Sequence, residues 1–362
     1  MFHGSYLPHQ VQFLLKPISI KPIANTLEKE RFIQSGEKHY SEMLSPESPP
    51  SPEYLALFQA ACEQNLPQMA QDCMRLAALI AARDEPSLPV LVSLARAGTP
   101  VGVVLQHILS CHYQQPIAHF SISIIRDRGI DTNALEYILQ QGFAPEQIVF
   151  VDGWTGKGVI KRELDRFIAQ FNQQHHTHIR SDLYVLSDLA GVSGYAASWE
   201  DYLIPSAILN ACISGLVSRS ILNEQIASHD FHGCVYFAEF APYDLSQTFI
   251  QQLTALTDVL QQHGLPAAQA IDTAAAAHTS QTFLAHIMQK YAIHQVNFVK
   301  PGIGEATRVM LRRVPQLLLL RNQHAAAVQH LCRLATEKNV PIAIDAHLPY
   351  QAVALIKDIR HA

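Results

Sequence analysis

"IVFVDGWTGKG", residues 148–158, decides how the rest of the chain is read. Four apolar residues of strand type run into Asp152. A loop with Gly153, Gly156 and Gly158 follows, and then "VIKRELDRFIAQF" repeats apolar residues at helical spacing. A strand that delivers a carboxylate to a glycine-rich turn and a helix start is a phosphate site in outline. Glycine lets the backbone approach a ligand closely, and a helix N-terminus presents free N–H groups and the positive end of its dipole. Thr155 can add a hydroxyl, Lys157 a point charge and Trp154 a stacking surface. The spacing fits neither a Walker A loop nor GxGxxG. The same residues also suit a tight strand-to-helix turn capped by Asp152.

Working outward, strands and helices alternate. "LPVLVSLA" (88–95), "IAHFSISII" (117–125), "QIVFVD" (147–152) and "DLYVLSDLAG" (182–191) read as strands. "TPVGVVLQHILSCHY", "DTNALEYILQQG" and "GVIKRELDRFIAQFNQQ" read as the helices between them. Apolar strands separated by amphipathic helices predict a parallel sheet covered on both faces, with the strand C-terminal loops along one edge. A second loop on that edge, "LARAGTP" (94–100), offers Arg96 as a cation, Ala97 and Gly98 as close backbone, and Thr99 as a hydroxyl. A third, "IIRDRGID" (124–131), brings Arg126, Asp127, Arg128 and Asp131, and also reads as a solvated charged turn. "DLAG" (188–191) is placed to close the site from the next strand, or to turn the chain.

Upstream, "LPHQVQFLLKPI" (7–18) reads as extended, and a Pro/Ser cluster at 45–54 leads into a long helical stretch that Pro67 is expected to break. Residues 1–265 form the first expected unit and 266–292 a helical connector. Residues 293–362 alternate strand and helix again, as a compact α-β-α sandwich.

With 362 residues, 48% of them hydrophobic, the chain can bury two or three cores. A net charge of −5 excludes a generic nucleic-acid binder but leaves a local basic patch open. Six cysteines without CxxC pairing point to reduced thiols and a cytoplasmic setting. No uncharged apolar run reaches about 18 residues, so no membrane span is expected, and the first residues lack a signal-peptide pattern. "HHTH" (175–178) could chelate a metal or simply end a helix in solvent.

"FVDGWTGKG" and "LARAGTP" together resemble the type I phosphoribosyltransferases. The resemblance implies that Asp152 and residues 153–158 hold the ribose hydroxyls and 5′-phosphate of phosphoribosyl pyrophosphate. Arg96, Ala97, Gly98 and Thr99 would hold the pyrophosphate, with Mg²⁺ and Arg96 neutralising it as it leaves and Asp127 grouped with the catalytic residues. Two departures stand out: Gly153 replaces the family's second acid, and "TGKG" replaces its "TG-small-T". More narrowly, "GSYLP", "HYSEMLS", "VSLARAGTPVG", "SIIRDRGID", "DYLIPSAILN" and "SGLVSRS" resemble, over residues 4–250, one phosphoribosyltransferase-like family of tellurium-resistance stress gene clusters. That family also carries the name cysteine protease StiP, which implies a nucleophile. Cys212 with His232, and Asp230 nearby, is the pair nominated; the apolar neighbours of Cys212 equally suit core packing.

"KPGIGEATRVMLRRVPQLLLLR", "LCRLATEKNVPIAI" and "PYQAVALI" resemble Pelota and ribosomal L7Ae-type RNA-binding domains. Gly302, Gly304, Glu305, Thr307 and Arg308 would meet a kinked RNA, with Arg312 and Arg313 extending the basic face. The reading that follows is a Mg²⁺-dependent phosphoribosyltransferase-type enzyme fused to an RNA-binding module in a bacterial stress response, with other stress-cluster proteins as possible partners. A cysteine peptidase and a non-catalytic nucleotide and RNA sensor remain the alternatives.

Overall fold

A computed structural model of the chain describes residues 2–85 and 87–360. Six strands form the central sheet: β1 (Gln12–Leu14), β2 (Val90–Leu94), β3 (His119–Ile122), β4 (Ile148–Thr155), β5 (Leu183–Asp188) and β6 (Gly194–Ser198). Their order is β1-β3-β2-β4-β5-β6 and every neighbouring pair is parallel. The extended segment at 7–18 thus supplies an edge strand, and β6 is a strand that the sequence reading left out. The chain moves to one side of β2 for β3 and to the other side for β4. That reversal opens a crevice at the C-terminal ends of β2 and β4, where such sheets bind ligands.

Because side chains alternate across a strand, each strand feeds two cores. Leu91, Val149, Val151 and Leu186 pack under α2 (Pro52–Ala81), α3 (Gly98–Tyr113) and α6 (Ser246–Gln261). Val90, Val92, Phe150 and Val185 pack under α4 (Thr132–Gln140) and α5 (Val159–His175). A short helix, α1 (Thr26–Ser35), is capped by Asn25. Pro67 does not break α2, which runs through it for 30 residues. Leu66, Met69, Ala70 and Cys73 around it are buried in the core, so tertiary packing outweighs the lost backbone hydrogen bond.

The C-terminal part is a three-layer unit. Strands β7 (Val299–Pro301), β8 (Pro315–Leu320), β9 (Ile342–Ile344) and β10 (Ala352–Ile356) lie in the order β7-β10-β8-β9, with β10 antiparallel to its neighbours. Helices α8 (Ile303–Arg312) and α9 (Gln329–Glu337) cover one face. The stretch read as a connector is largely α7 (Ala274–Lys290), whose Phe283 and Ile287 pack against Val299, Leu319, Val353 and Leu355 on the other face.

The two parts are welded together. Ile303, Ala306, Val309 and Met310 of α8 belong to the same core as Ile204, Ile208 and α2. Arg313 donates from Nε and Nη2 to both oxygens of the buried Glu30, each at 2.6 Å. Burial pushes the Glu30 carboxyl up, but this forked pair prevails and holds it below its usual range. The Asp201 carboxylate accepts N–H groups of Ile303 (2.9 Å) and Gln351 (2.7 Å). Among the described residues, no helix is long and apolar enough to cross a membrane.

Candidate functional site

Two glycines shape the crevice. A Cβ on Gly98 would lie 2.5 Å from the Val151 carbonyl oxygen, so only glycine lets α3 start against β4. Gly158, at φ +73°, turns the chain into α5 and no side chain caps that helix. The first-turn N–H groups of α5 therefore lack intrahelical or side-chain partners.

Residues Thr155 to Lys161 wall a cavity of about 270 Å³. Asp152, Lys29, Tyr40, Arg126, Arg219, Lys300, Glu305, Arg308, Arg312 and Arg313 are among its other lining residues. A second chamber of about 200 Å³ lies beside the loop Ala95–Ala97 and residues 206–214. Tyr40, Trp154, Arg219, Arg308 and Arg312 line both chambers and form a waist between them.

The first chamber is strongly basic, with Asp152 and Glu305 as its acids. Burial drives the Lys29 ammonium down to about 7, aided by Arg219, Arg313 and Arg312. Burial lowers Lys157 to about 6, and Lys300 beside it adds to the effect. Burial raises the Asp152 carboxyl to about 6 against the pull of Arg308 and the Gly153 N–H. Glu305 is held near 2: burial pushes it up, but Lys300, Arg308 and Lys157 outweigh that. Positive charge this crowded favours an anionic ligand.

The structure redistributes the roles expected of single residues. Asp152 lines the cavity, with Oδ1 accepting the Gly153 N–H at 2.8 Å. The Thr155 hydroxyl is taken by the buried Asp188, which also accepts the Ser193 N–H at 2.7 Å, so "DLAG" braces the loop from below. Lys157 donates to the carbonyls of Val296 (2.6 Å) and Val299 (2.8 Å) and ties the loop to the C-terminal part. Arg96 follows a cis peptide bond, and its guanidinium is spent on Glu47 (2.9 Å), the Val217 carbonyl (2.8 Å) and Asn210 (2.9 Å). Thr99 is fully buried against Ser121. Asp127 is exposed, outside both chambers, and pairs with Arg126 at 2.9 Å. Asp131 caps α4 and Arg128 pairs with Glu42 at 3.1 Å.

The groups that face the cleft include Arg126 of the third loop, and also Arg219 and Tyr40, to which the sequence analysis gives no role. Arg219, in "SGLVSRS", donates to the carbonyls of Tyr40 and Met43 and lies 5.2 Å from the Tyr40 ring centre. Arg126 lies at 5.2 Å from the same ring, and the Tyr40 hydroxyl accepts its N–H at 2.8 Å. Flanking serines around a lone arginine were the available signal, and it is a weak one.

The expected RNA-reading turn faces this cleft. A Cβ on Gly302 would meet Leu189 at 2.5 Å, and one on Gly304 would meet the Trp154 indole at 2.5 Å. Arg308 stacks 4.5 Å from the Trp154 ring centre and pairs with Glu305 at 2.7 Å. Thr307 is buried against His330, and Arg312 donates to Asn210.

Cys212 and His232 are not a pair. Cys212 is buried among Leu44, Leu216, Phe237 and Phe240, and burial pushes its thiol up to about 11, with Glu47 adding to this. His232 bonds Ser123 at 2.8 Å, and Asp230 pairs with Lys16 at 2.6 Å. The histidines of "HHTH" separate, His175 toward Glu136 and His178 toward Glu146. No group of three or more metal-ligating side chains occurs among the described residues. Within the cleft, Glu305 is committed to Lys300 and Arg308, which leaves Asp152 alone; this donor set does not build a resident Mg²⁺ site.

Two family models match separate segments of the chain. Residues 278–358 match the PELOTA RNA binding domain. A solved hypoxanthine-guanine phosphoribosyltransferase from Bacillus anthracis is 14% identical, covers 38% of this chain and 80% of its own, and has a TM-score of 0.25. "Cysteine protease StiP" of Acinetobacter baylyi is 42% identical, the match covering 99% of this chain and 95% of that protein. Residues 4–254 match the model of the tellurite-like stress resistance cysteine protease StiP, and the chain belongs to the StiP family.

Proposed function

We propose that the cleft binds a phosphorylated ribose of the phosphoribosyl pyrophosphate class and that the chain works as a phosphoribosyltransferase-type enzyme. The observation that carries this reading is the uncapped start of α5 behind the Gly153–Gly158 loop, opening on a cavity crowded with basic groups. The loop N–H groups would hold the 5′-phosphate, which is positioning catalysis. Asp152, flanked by that loop, would accept the ribose hydroxyls. Helix α8 contributes Glu305, Arg308, Val309 and Arg312 to the chamber wall. Charge on a departing pyrophosphate would be met by arginines, with any Mg²⁺ arriving on the ligand's own oxygens. The test is calorimetric titration of the full chain with phosphoribosyl pyrophosphate, with and without Mg²⁺, beside a pyrophosphate-release assay. No binding in either condition ends the reading. The Pelota match supports structured RNA as a further partner, met on surface of the C-terminal part other than the Gly302–Gly304 turn, which is packed on Leu189 and Trp154.

The names of the relatives favour a second reading, a cysteine peptidase. Cys212 is a poor nucleophile for it, being buried and without His232. Cys111 is exposed and lies four residues beyond His107 on α3, on the same helix face. His107 bonds Asp258 at 2.6 Å, and His107 and Cys111 line one groove. Such an arrangement has a nucleophile, a base and an orienting carboxylate. Burial and then Asp258 push the Cys111 thiol up, so activation would rest on His107 taking the proton. Peptide cleavage lost in Cys111→Ser and retained in Cys212→Ser would establish it.

A further inference from the structure

We propose that the waist of the cleft is a diphosphate subsite built by Arg219 and Arg312, one from each part of the chain, in place of Arg96. It rests on the phosphoribosyl reading of the cleft. Arg96 was the expected pyrophosphate ligand, yet its guanidinium already holds Glu47, Val217 and Asn210. Arg219 is anchored through Nη2 to two carbonyls, and its Nη1 is shielded from solvent with no hydrogen-bond partner. Arg312 is anchored through Nη2 to Asn210, and its Nε is likewise shielded and unpartnered.

Buried donors without acceptors are costly, and native proteins leave few of them. Here two occur on arginines that line both chambers. Each guanidinium is fixed at one end and free at the other, which suits a multidentate phosphate ligand better than a mobile lysine. The electrostatics agree: burial, then Arg96, pulls Arg312 well below its ordinary value, because like charges crowd it and Glu47 is the counter-charge it feels. A diphosphate at the waist would meet both guanidinium donors and bring the missing negative charge. It would sit beside the α3 loop, within reach of a ribose 5-phosphate held by the α5 loop. The C-terminal part thereby becomes a component of the ligand site and not an appended module.

The test is calorimetry of the full chain with two probes, inorganic pyrophosphate and ribose 5-phosphate. Arg219→Lys and Arg312→Lys keep charge and bulk but remove the orphan donor, and Arg312→Ala is the harsher variant. Each should weaken pyrophosphate about tenfold or more, the worth of a charged hydrogen bond, and change ribose 5-phosphate little. Pyrophosphate binding at wild-type strength in all three variants overturns the proposal. So does a wild-type chain that binds ribose 5-phosphate but not pyrophosphate. Pyrophosphate binding that is sensitive to both arginines, without ribose 5-phosphate binding, supports the waist and defeats the phosphoribosyl reading instead.

Discussion

Arg308 lays its guanidinium over the indole of Trp154, 4.5 Å from the ring centre, and so joins the helix of one family segment to the loop of the other. Gly304, one turn earlier on α8, is what lets the helix come this close. Gly304→Ala puts a methyl within van der Waals overlap of a ring that cannot move without losing its stack. We expect a loss of about 1–3 kcal/mol, the ordinary cost of overpacking, measured by urea unfolding. Arg308→Ala should cost less, about 0.5–1 kcal/mol, and should red-shift tryptophan emission. Trp199 is already 47% exposed, so the shift reports Trp154.

Anion binding should take up protons. Lys29 sits near 7 in the free cleft because burial and neighbouring arginines disfavour its charge. A bound anion favours the charged form and raises that value. Between about pH 7 and 9 the complex then holds more protons than the free protein, so affinity rises as pH falls, by up to about tenfold per unit for one proton. Sulfate, whose own charge is constant over this range, is the probe. Calorimetry in buffers of different ionisation enthalpy counts the protons, and a pH-independent affinity contradicts the expectation.

Asp201 gives a second pH signature, in stability. Burial raises its carboxyl to about 6 although it accepts backbone N–H groups. The folded state therefore binds its proton more tightly than the unfolded state does. Stability from this group is full below about pH 4 and declines as pH climbs to about 6. Asp201→Ala removes that slope and leaves the Ile303 and Gln351 N–H groups without an acceptor, at about 1–3 kcal/mol for each buried donor. Melting temperature followed from pH 4 to 7, wild type against variant, shows both effects.

Alkylation separates the cysteines. Iodoacetamide on the folded chain should modify Cys111, which is exposed, well before Cys212, Cys234 or Cys73, which are buried with raised thiols. Peptide mapping by mass spectrometry gives the order. Labelling of Cys212 at native pH at the rate of Cys111 would show that the segment around it opens.

Much of the fold could be read in advance because it rests on periodicity. Val90–Leu94 and Leu183–Asp188 are continuous buried runs, and the α4 and α5 stretches are amphipathic over their whole length. β6 escaped because "GYAAS" is short and, Tyr195 apart, made of small residues. The glycine loop and Asp152 were also legible, being local in sequence. The partners of Arg96, Thr155 and Lys157 were not, since Glu47, Asp188 and Val299 arrive from other parts of the chain. A motif tells which side chains reach an edge of the sheet; what they hold there is settled by distant segments. The inward turn of α8 is the largest case, for a domain resembling an RNA binder was read as if it stood alone.

That inward turn limits what the protein can grip. Gly302 and Gly304 are pressed on Leu189 and Trp154, so no groove of a folded polynucleotide can lie across them while the two parts stay joined. The width of the cleft is thereby set by the seam between the two family segments, and it cannot open further without parting α8 from the Trp154 indole.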